Sequence, residues 1–192
     1  MLASGISDIS PLSILTGVSN NNYIKIYDPT TGGLIKQLAG HTGYLTSLIV
    51  NLNGDLISGS RDNTIQVWDV ISFTMRHKLT AGTKVLSLLI LENGHLASGL
   101  DDNSIKIWDT INGVLVTSLT NAHSKGISSM TLLFDGNLAS TSTDNSVKIW
   151  NTTDLKLIHT MQFTPPDTTW ALTTLLNGEL ACGIDNKVQI YY

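Results

Sequence analysis

The chain has 192 residues, 42% of them hydrophobic, and its 11 basic and 15 acidic residues leave a net charge of −4. This length can enclose a core, while the thinly spread charge, with no Lys/Arg run, argues against a nucleic-acid or anionic-membrane partner. No apolar run approaches the roughly 18 residues of a membrane span, MLASGISDIS lacks the features of a signal peptide, and the single Cys182, with no internal disulfide partner, fits a reducing compartment, cytoplasmic or nuclear.

The first predicted strand is GISDISPL (5–12), and the unit it opens ends at Tyr27-Asp28. The second unit reads GHTGYLTSLIVNLNGDLISGSRDNTIQVWD over 40–69. The third is laid out most plainly. KVLSLLIL (84–91) is apolar on both faces, as a strand buried on both sides should be. Asn93-Gly94 turns the chain, since both residues tolerate positive φ, into HLASGL (95–100). Asp102-Asn103 turns it again into SIKIWD (104–109), where Ile105 and Ile107 alternate with Lys106 and Trp108. Ile111-Asn112-Gly113 then leads to VLVTSLT (114–120). The fourth unit opens on GISSMTLL (126–133), an echo of GISDISPL, and continues as LASTSTDNSVKIWN (138–151). The fifth ends on KVQIYY (187–192).

Three markers keep step through these units. The terminal pair falls at Tyr27-Asp28, Trp68-Asp69, Trp108-Asp109, Trp150-Asn151 and Tyr191-Tyr192, at steps of 41, 40, 42 and 41 residues. Asn53-Gly54, Asn93-Gly94, Asp135-Gly136 and Asn177-Gly178 form the second marker, and Asp62-Asn63, Asp102-Asn103, Asp144-Asn145 and Asp185-Asn186 the third. No stretch has the 3.6-residue period of a helix. A meander of about forty residues cannot hide its own apolar faces, so it must pack on neighbouring copies, and the twist of side-by-side sheets curves the array into a ring. The predicted fold is an all-β propeller of four-stranded antiparallel blades over about 5–40, 41–81, 82–121, 122–163 and 164–192. The fifth blade lacks its outer strand, giving nineteen strands in all. With four residues ahead of the first blade, the N-terminus is too short to supply that strand. Three arrangements are open: a piece of a longer propeller, a ring completed by a second chain, and a closed ring of five.

The Gly-His pair, the hydrophobic strand, the Asn/Asp-Gly turn, the LASGS-type strand, the Asp turn and the closing Trp-Asp resemble the WD-repeat family over almost the whole chain. The resemblance implies a structural tetrad of His, Ser, Asp and Trp. These are His41, Ser58, Asp62 and Trp68 in blade 2, and His123, Ser140, Asp144 and Trp150 in blade 4. Blade 3 keeps Ser98, Asp102 and Trp108 but has Ala81 for His. Blade 5 has Cys182, Asp185 and Tyr191, with Pro165 near the His position, and blade 1 has Gly17, Asn21 and Tyr27. A buried His and Asp need such partners, as does a buried indole N–H.

A His beside an Asp also invites a metal or general-base reading. These pairs recur at one repeat position, each with its own Ser and Trp, so the tetrad is the better reading. His77, His95 and His159 read as solvated surface residues. No serine lies in a G-x-S-x-G setting, and no phosphate-binding glycine motif occurs, so no catalytic residue, metal or cofactor is expected. Cys182 reads as an inert buried thiol.

What remains is surface. Partners of the resembling proteins dock on loops that lead into each first strand and on the turn before the tetrad Asp. Those positions here are Thr42, Tyr44 and Arg61, then Lys84 and Asp101, then Ser124, Lys125 and Thr143, and finally Thr168, Trp170 and Ile184. Tyr44, Arg61 and Trp170 are residue types common at interface hot spots, though Trp170 fits the core equally well. Arg61, Lys84 and Lys125 could form a basic arc for an acidic or phosphorylated peptide; a solvated rim is the plainer reading. The function expected is a non-catalytic scaffold for protein or peptide partners. The alternatives are a propeller enzyme, whose acids would line the channel, and a carbohydrate-binding propeller, whose loop aromatics would repeat. The residues match neither pattern.

Overall fold

The computed structural model describes residues 22–163, 169–184 and 187–191, with the side chains of Thr169 and Trp170 excepted. Seventeen strands and no helix occur among them, so none of the described residues forms a helix able to cross a membrane. Strands β1 (Tyr23–Tyr27) and β2 (Leu34–Ala39) pair as the described part of blade 1. Blade 2 is β3 (Leu45–Val50), β4 (Leu56–Ser60), β5 (Thr64–Asp69) and β6 (Thr74–Thr80). Blade 3 is β7 (Val85–Ile90), β8 (Leu96–Leu100), β9 (Ile105–Asp109) and β10 (Val114–Leu119). Blade 4 is β11 (Ile127–Leu132), β12 (Leu138–Ser142), β13 (Ser146–Trp150) and β14 (Leu157–Gln162). Blade 5 contributes β15 (Thr169–Thr174), β16 (Leu180–Ile184) and β17 (Lys187–Tyr191). The two further strands expected in blade 1, beginning with GISDISPL, lie outside the described residues, as do Gly17, Asn21, Pro165, Thr168 and Asp185.

Every pairing is antiparallel between neighbours in sequence, so each blade is a meander closed by local turns. The turn chemistry differs from the sequence expectation in one respect. In the Asn/Asp-Gly turns only the glycine takes positive φ: Gly54 at 85°, Gly94 at 83°, Gly136 at 78° and Gly178 at 92°. The residue before it stays on the ordinary side, because the loop is longer than a two-residue hairpin: Asn51 N–H reaches the Asp55 carbonyl and Gly54 N–H the Asn51 carbonyl. At the other end the left-handed residue is the Asn of each Asp-Asn pair, Asn63, Asn103 and Asn145, a residue that tolerates this region better than most.

The core lies in the seams between blades. Ile57, Ile65, Val67 and Leu79 of blade 2 cluster with Val85, Leu88, Leu96, Leu100 and Trp108 of blade 3. The next seam joins Ala97, Ile105 and Ile107 to Ile127, Met130, Leu138 and Trp150. The closing tryptophans of blades 2, 3 and 4 therefore pack backwards on the preceding blade, Trp68 doing so on Ile24, Ile26 and Leu38. Burying each Ile, Leu or Val this way contributes about 1.5–3 kcal/mol, which a lone meander could not gather. Glycines set how closely the blades approach: a Cβ on Gly59 would lie 2.6 Å from Val85 Cγ1, and one on Gly99 2.7 Å from Ile127 Cγ2. Hydroxyls cross the seams as well, Thr46 donating to the Val85 carbonyl (2.7 Å) and Thr174 to that of Leu132 (2.6 Å). His77, expected to be solvated, is half-buried and its Nε2 donates to the Ile111 carbonyl of blade 3 at 3.0 Å. It closes the rim of the seam between blades 2 and 3.

Candidate partner-binding face

The side chains with chemistry fall into two sets, one inside the blades and one on the face where the β4–β5 turn and its counterparts emerge. Inside blade 2, the Trp68 indole N–H donates to Ser58 Oγ (3.0 Å). Ser58 Oγ meets His41 Nε2 (2.8 Å), and His41 Nδ1 meets Asp62 Oδ2 (2.8 Å). Blade 4 repeats the chain with Trp150 to Ser140 (2.9 Å), Ser140 to His123 (2.8 Å) and His123 to Asp144 (3.1 Å). Blade 3 keeps Trp108 to Ser98 (2.9 Å). With Ala81 for His, Asp102 is left with the Ser104 hydroxyl and N–H. The Ser/Thr after the Asp-Asn pairs of blades 2 to 4 belongs to the same network: Thr64, Ser104 and Ser146 each donate a hydroxyl to the Asp two residues earlier. The string D-N-[ST] carried that signal in the sequence. Lys106 and Lys148 cap the network by donating to the Ala81 and Ala122 carbonyls, both at 2.7 Å. Blade 2 has Gln66 in this place, fully buried, with neither amide atom hydrogen-bonded among the described residues.

Protonation follows from this geometry. Burial lowers the His41 imidazole below its usual 6.5, against the pull of Asp62. The neutral ring then donates from Nδ1 to Asp62 and accepts at Nε2 from Ser58, whose oxygen is left to accept from Trp68. Burial by itself would raise the Asp62 carboxyl, but hydrogen bonds from Thr64, the Thr42 N–H and His41 overcome it and hold the group at about 2. His123 and Asp144 are shifted in the same directions. Burial pushes the Cys182 thiol up to about 11, so it is an unreactive apolar group.

Part of the second set meets in one place. Tyr44, Arg61, Asp101 and Thr143 line one open groove of about 700 Å³, together with Leu45, Thr46, Leu86, Gly126 and Ser128. Thr46, Leu86 and Ser128 went unnoticed in the sequence for a structural reason. In blades 2 to 5 the register of the first strand on the second slips at one place, between Leu45 and Ser47, Val85 and Ser87, Ile127 and Ser129, and Thr169 and Ala171. The skipped residue is a bulge, and a bulge re-aims its side chain. Trp170 is the skipped residue of blade 5. Loop and turn are tied by backbone bonds, Arg61 N–H to the Tyr44 carbonyl (2.9 Å) and Asp101 N–H to that of Lys84 (3.0 Å).

Thr42, Lys84 and Lys125 do not line the groove. The Thr42 N–H is held by Asp62, and the Lys125 carbonyl accepts from Ser142. The basic arc is smaller than expected, because the Lys84 ammonium lies 3.0 Å from Asp101. Arg61 and Tyr44 are exposed, and among the described residues the Arg61 guanidinium takes no ion pair.

Tandem four-stranded blades, stacked through backward-facing tryptophans and an internal His–Ser–Asp network, define a WD-type β-propeller. Residues 32–69, 73–109 and 113–151, more than half of the chain, match the family model described as WD domain, G-beta repeat, and the chain belongs to that family. The first match runs from β2 through β5, so a sequence repeat straddles a seam and ties two blades covalently. The chain is similar to striatin of Homo sapiens, at 40% identity over 75 residues, 38% of this chain and 9% of that protein. It is also similar to ribosome biogenesis protein YTM1 of Saccharomyces cerevisiae, at 34% over 85 residues, 41% of this chain and 18% of that protein. The chain thus spans less than a fifth of the length of these curated relatives. In fold it resembles the WD40 β-propeller domain of Doa1, with a TM-score of 0.78, 23% identity, and coverage of 89% of this chain and 57% of that one.

Proposed function

We propose that this chain is a non-catalytic scaffold that holds a protein or peptide segment in the groove bounded by Tyr44, Arg61, Leu86 and Thr143. The observation that carries the reading is an exposed guanidinium without an ion pair among the described residues, set beside an exposed phenol and a half-buried leucine. Such a site suits an acidic or phosphorylated side chain next to an apolar one, the first held by Arg61 and the second against Tyr44 and Leu86. The buried pairs favour a scaffold over an enzyme. The His41 and Asp62 side chains are 1% and 5% exposed, and both imidazole nitrogens of His41 are engaged, so no substrate reaches them. The cytoplasm or nucleus is the proposed setting, in keeping with the lone buried cysteine.

Displayed random peptides selected on the immobilised protein are expected to pair acidic with apolar residues. By fluorescence anisotropy, Arg61→Glu should weaken their binding about thirtyfold and Tyr44→Ala about tenfold. Ile71→Ala, exposed at the opposite end of blade 2, should leave it unchanged. Equal binding to wild type and Arg61→Glu would remove the groove as the site.

A further inference from the structure

The fourth strand of each complete blade forms its outer rim, and the free edge of that strand pairs with nothing among the described residues. Such an edge is a template for another strand unless charge or a bulge guards it. The outer strands β2, β6, β10 and β14 all carry the bulge, at Ile35, Arg76, Val116 and Ile158, each skipped in the register with the third strand. Their charges are unequal. Over the six positions aligned on that bulge, blade 1 reads GLIKQL with Lys36, blade 2 TMRHKL with Arg76 and Lys78, and blade 4 KLIHTM with Lys156. Blade 3 reads VLVTSL, with no charged residue and no proline. Val114, Leu115 and Val116 run consecutively along it and stand 52%, 47% and 49% exposed. Exposed Ile111, in the turn before them, extends the apolar strip. Blades 2 and 4 pack on the two faces of blade 3, so this exposure belongs to its outer edge.

We propose that β10 pairs antiparallel with β10 of a second copy of the chain, giving a two-fold dimer joined edge to edge at blade 3. The charge pattern selects this occupant. Antiparallel pairing of a strand with its own copy is isologous, so the strand meets its own charges across the contact. On β6 that would set Arg76 and Lys78 against themselves, and on β2 Lys36, and like charges across a ladder are destabilising. β10 brings no charge to the contact, and a two-fold axis between Val116 and Thr117 sets Val114 against Leu119. The β-branched Val114, Val116 and Thr117 suit a ladder. No residue of β10 lines the groove of Tyr44 and Arg61, so the dimer leaves that groove open.

Sedimentation equilibrium over a concentration series tests the dimer, and hydrogen exchange of the β10 amides locates it. One strand edge is smaller than the about 800 Å² per partner of a standard interface, so the dimer should be reversible, with a midpoint at about 100 µM. Exchange of the β10 amides should slow as concentration rises, while that of β6 and β14 stays constant. Val116→Arg and Ser118→Lys copy Arg76 and Lys78 of blade 2, an edge that this fold already accommodates. Each should keep the wild-type circular dichroism and weaken dimerisation about tenfold. Ile158→Arg, the same change on the edge of blade 4, should leave it unchanged. A wild type that remains monomeric to about 1 mM, tenfold above that midpoint, overturns the proposal and leaves the edge to an extended segment of another protein. A dimer that a folded Val116→Arg variant does not weaken, or that forms without slowing β10 exchange, uses another surface and overturns it equally.

Discussion

Trp68→Ala is expected to lower the free energy of unfolding by about 3–5 kcal/mol, the range for removing a buried aromatic side chain. Two losses combine. The indole fills the seam against Ile24, Ile26, Leu38 and Leu56, and alanine leaves a cavity there that backbone paired on both sides can close only in part. The indole N–H also donates to Ser58 Oγ, itself fully buried. Trp68→Phe separates the two: it keeps much of the area and deletes the donor, and should cost about 1–3 kcal/mol. Because blades interact with their neighbours, the damage should be local. Amide protection of Ile24 and Ile26 should fall before that of Ile105 and Ile107, whose seam is untouched. Urea unfolding with hydrogen exchange reads both effects. A Trp68→Ala variant as stable as wild type would show that the seam does not hold blade 1.

The repeat was legible because each marker is a residue type that local geometry demands. Glycine follows Asn or Asp where φ must be positive, Asn follows Asp where the left-handed region is needed, and an indole recurs where a seam needs both bulk and a donor. Such requirements act within a few residues, so they survive in a single sequence. The groove was only half legible. Tyr44, Arg61, Asp101 and Thr143 could be placed by repeat position, but Thr46, Leu86 and Ser128 depend on a register slip that no residue type announces. Contacts between blades were hidden for another reason. The bond from His77 to the Ile111 carbonyl spans 34 residues and depends on how the seam between blades 2 and 3 closes. The Lys84–Asp101 pair spans only 17, yet it too needed the geometry of a loop and a turn that meet in space. Gln66 went unnoticed too: it stands where Lys106 and Lys148 stand in the next two blades, and only the burial of its amide shows that the exchange leaves polar atoms without a partner among the described residues.

Asp62→Ala should cost roughly 3 kcal/mol near neutral pH, because donors left unsatisfied in a buried network cost about 1–3 kcal/mol apiece. The carboxylate accepts from His41 Nδ1, the Thr42 N–H, and the Thr64 hydroxyl and N–H, and alanine leaves all four donors without it. The pH dependence gives the sharper test. Asp62 titrates at about 2 in the folded chain against an ordinary 3.8. Its stabilisation is therefore complete above 3.8 and is lost as pH falls toward 2. His41 is shifted down from 6.5, so below that value the unfolded chain binds the proton more readily, and stability drops as the pH falls. The two limbs have the same sign. The wild-type melting temperature should be level above 6.5, decline below it, and fall again under 3.8. The gap between wild type and Asp62→Ala should narrow in that last interval, where the wild type gives up the charge that the variant never had. Calorimetric melting curves taken from neutral pH into the carboxylate range decide the matter. A gap that stays constant below 3.8 would mean that Asp62 stabilises blade 2 by its shape and not by its charge.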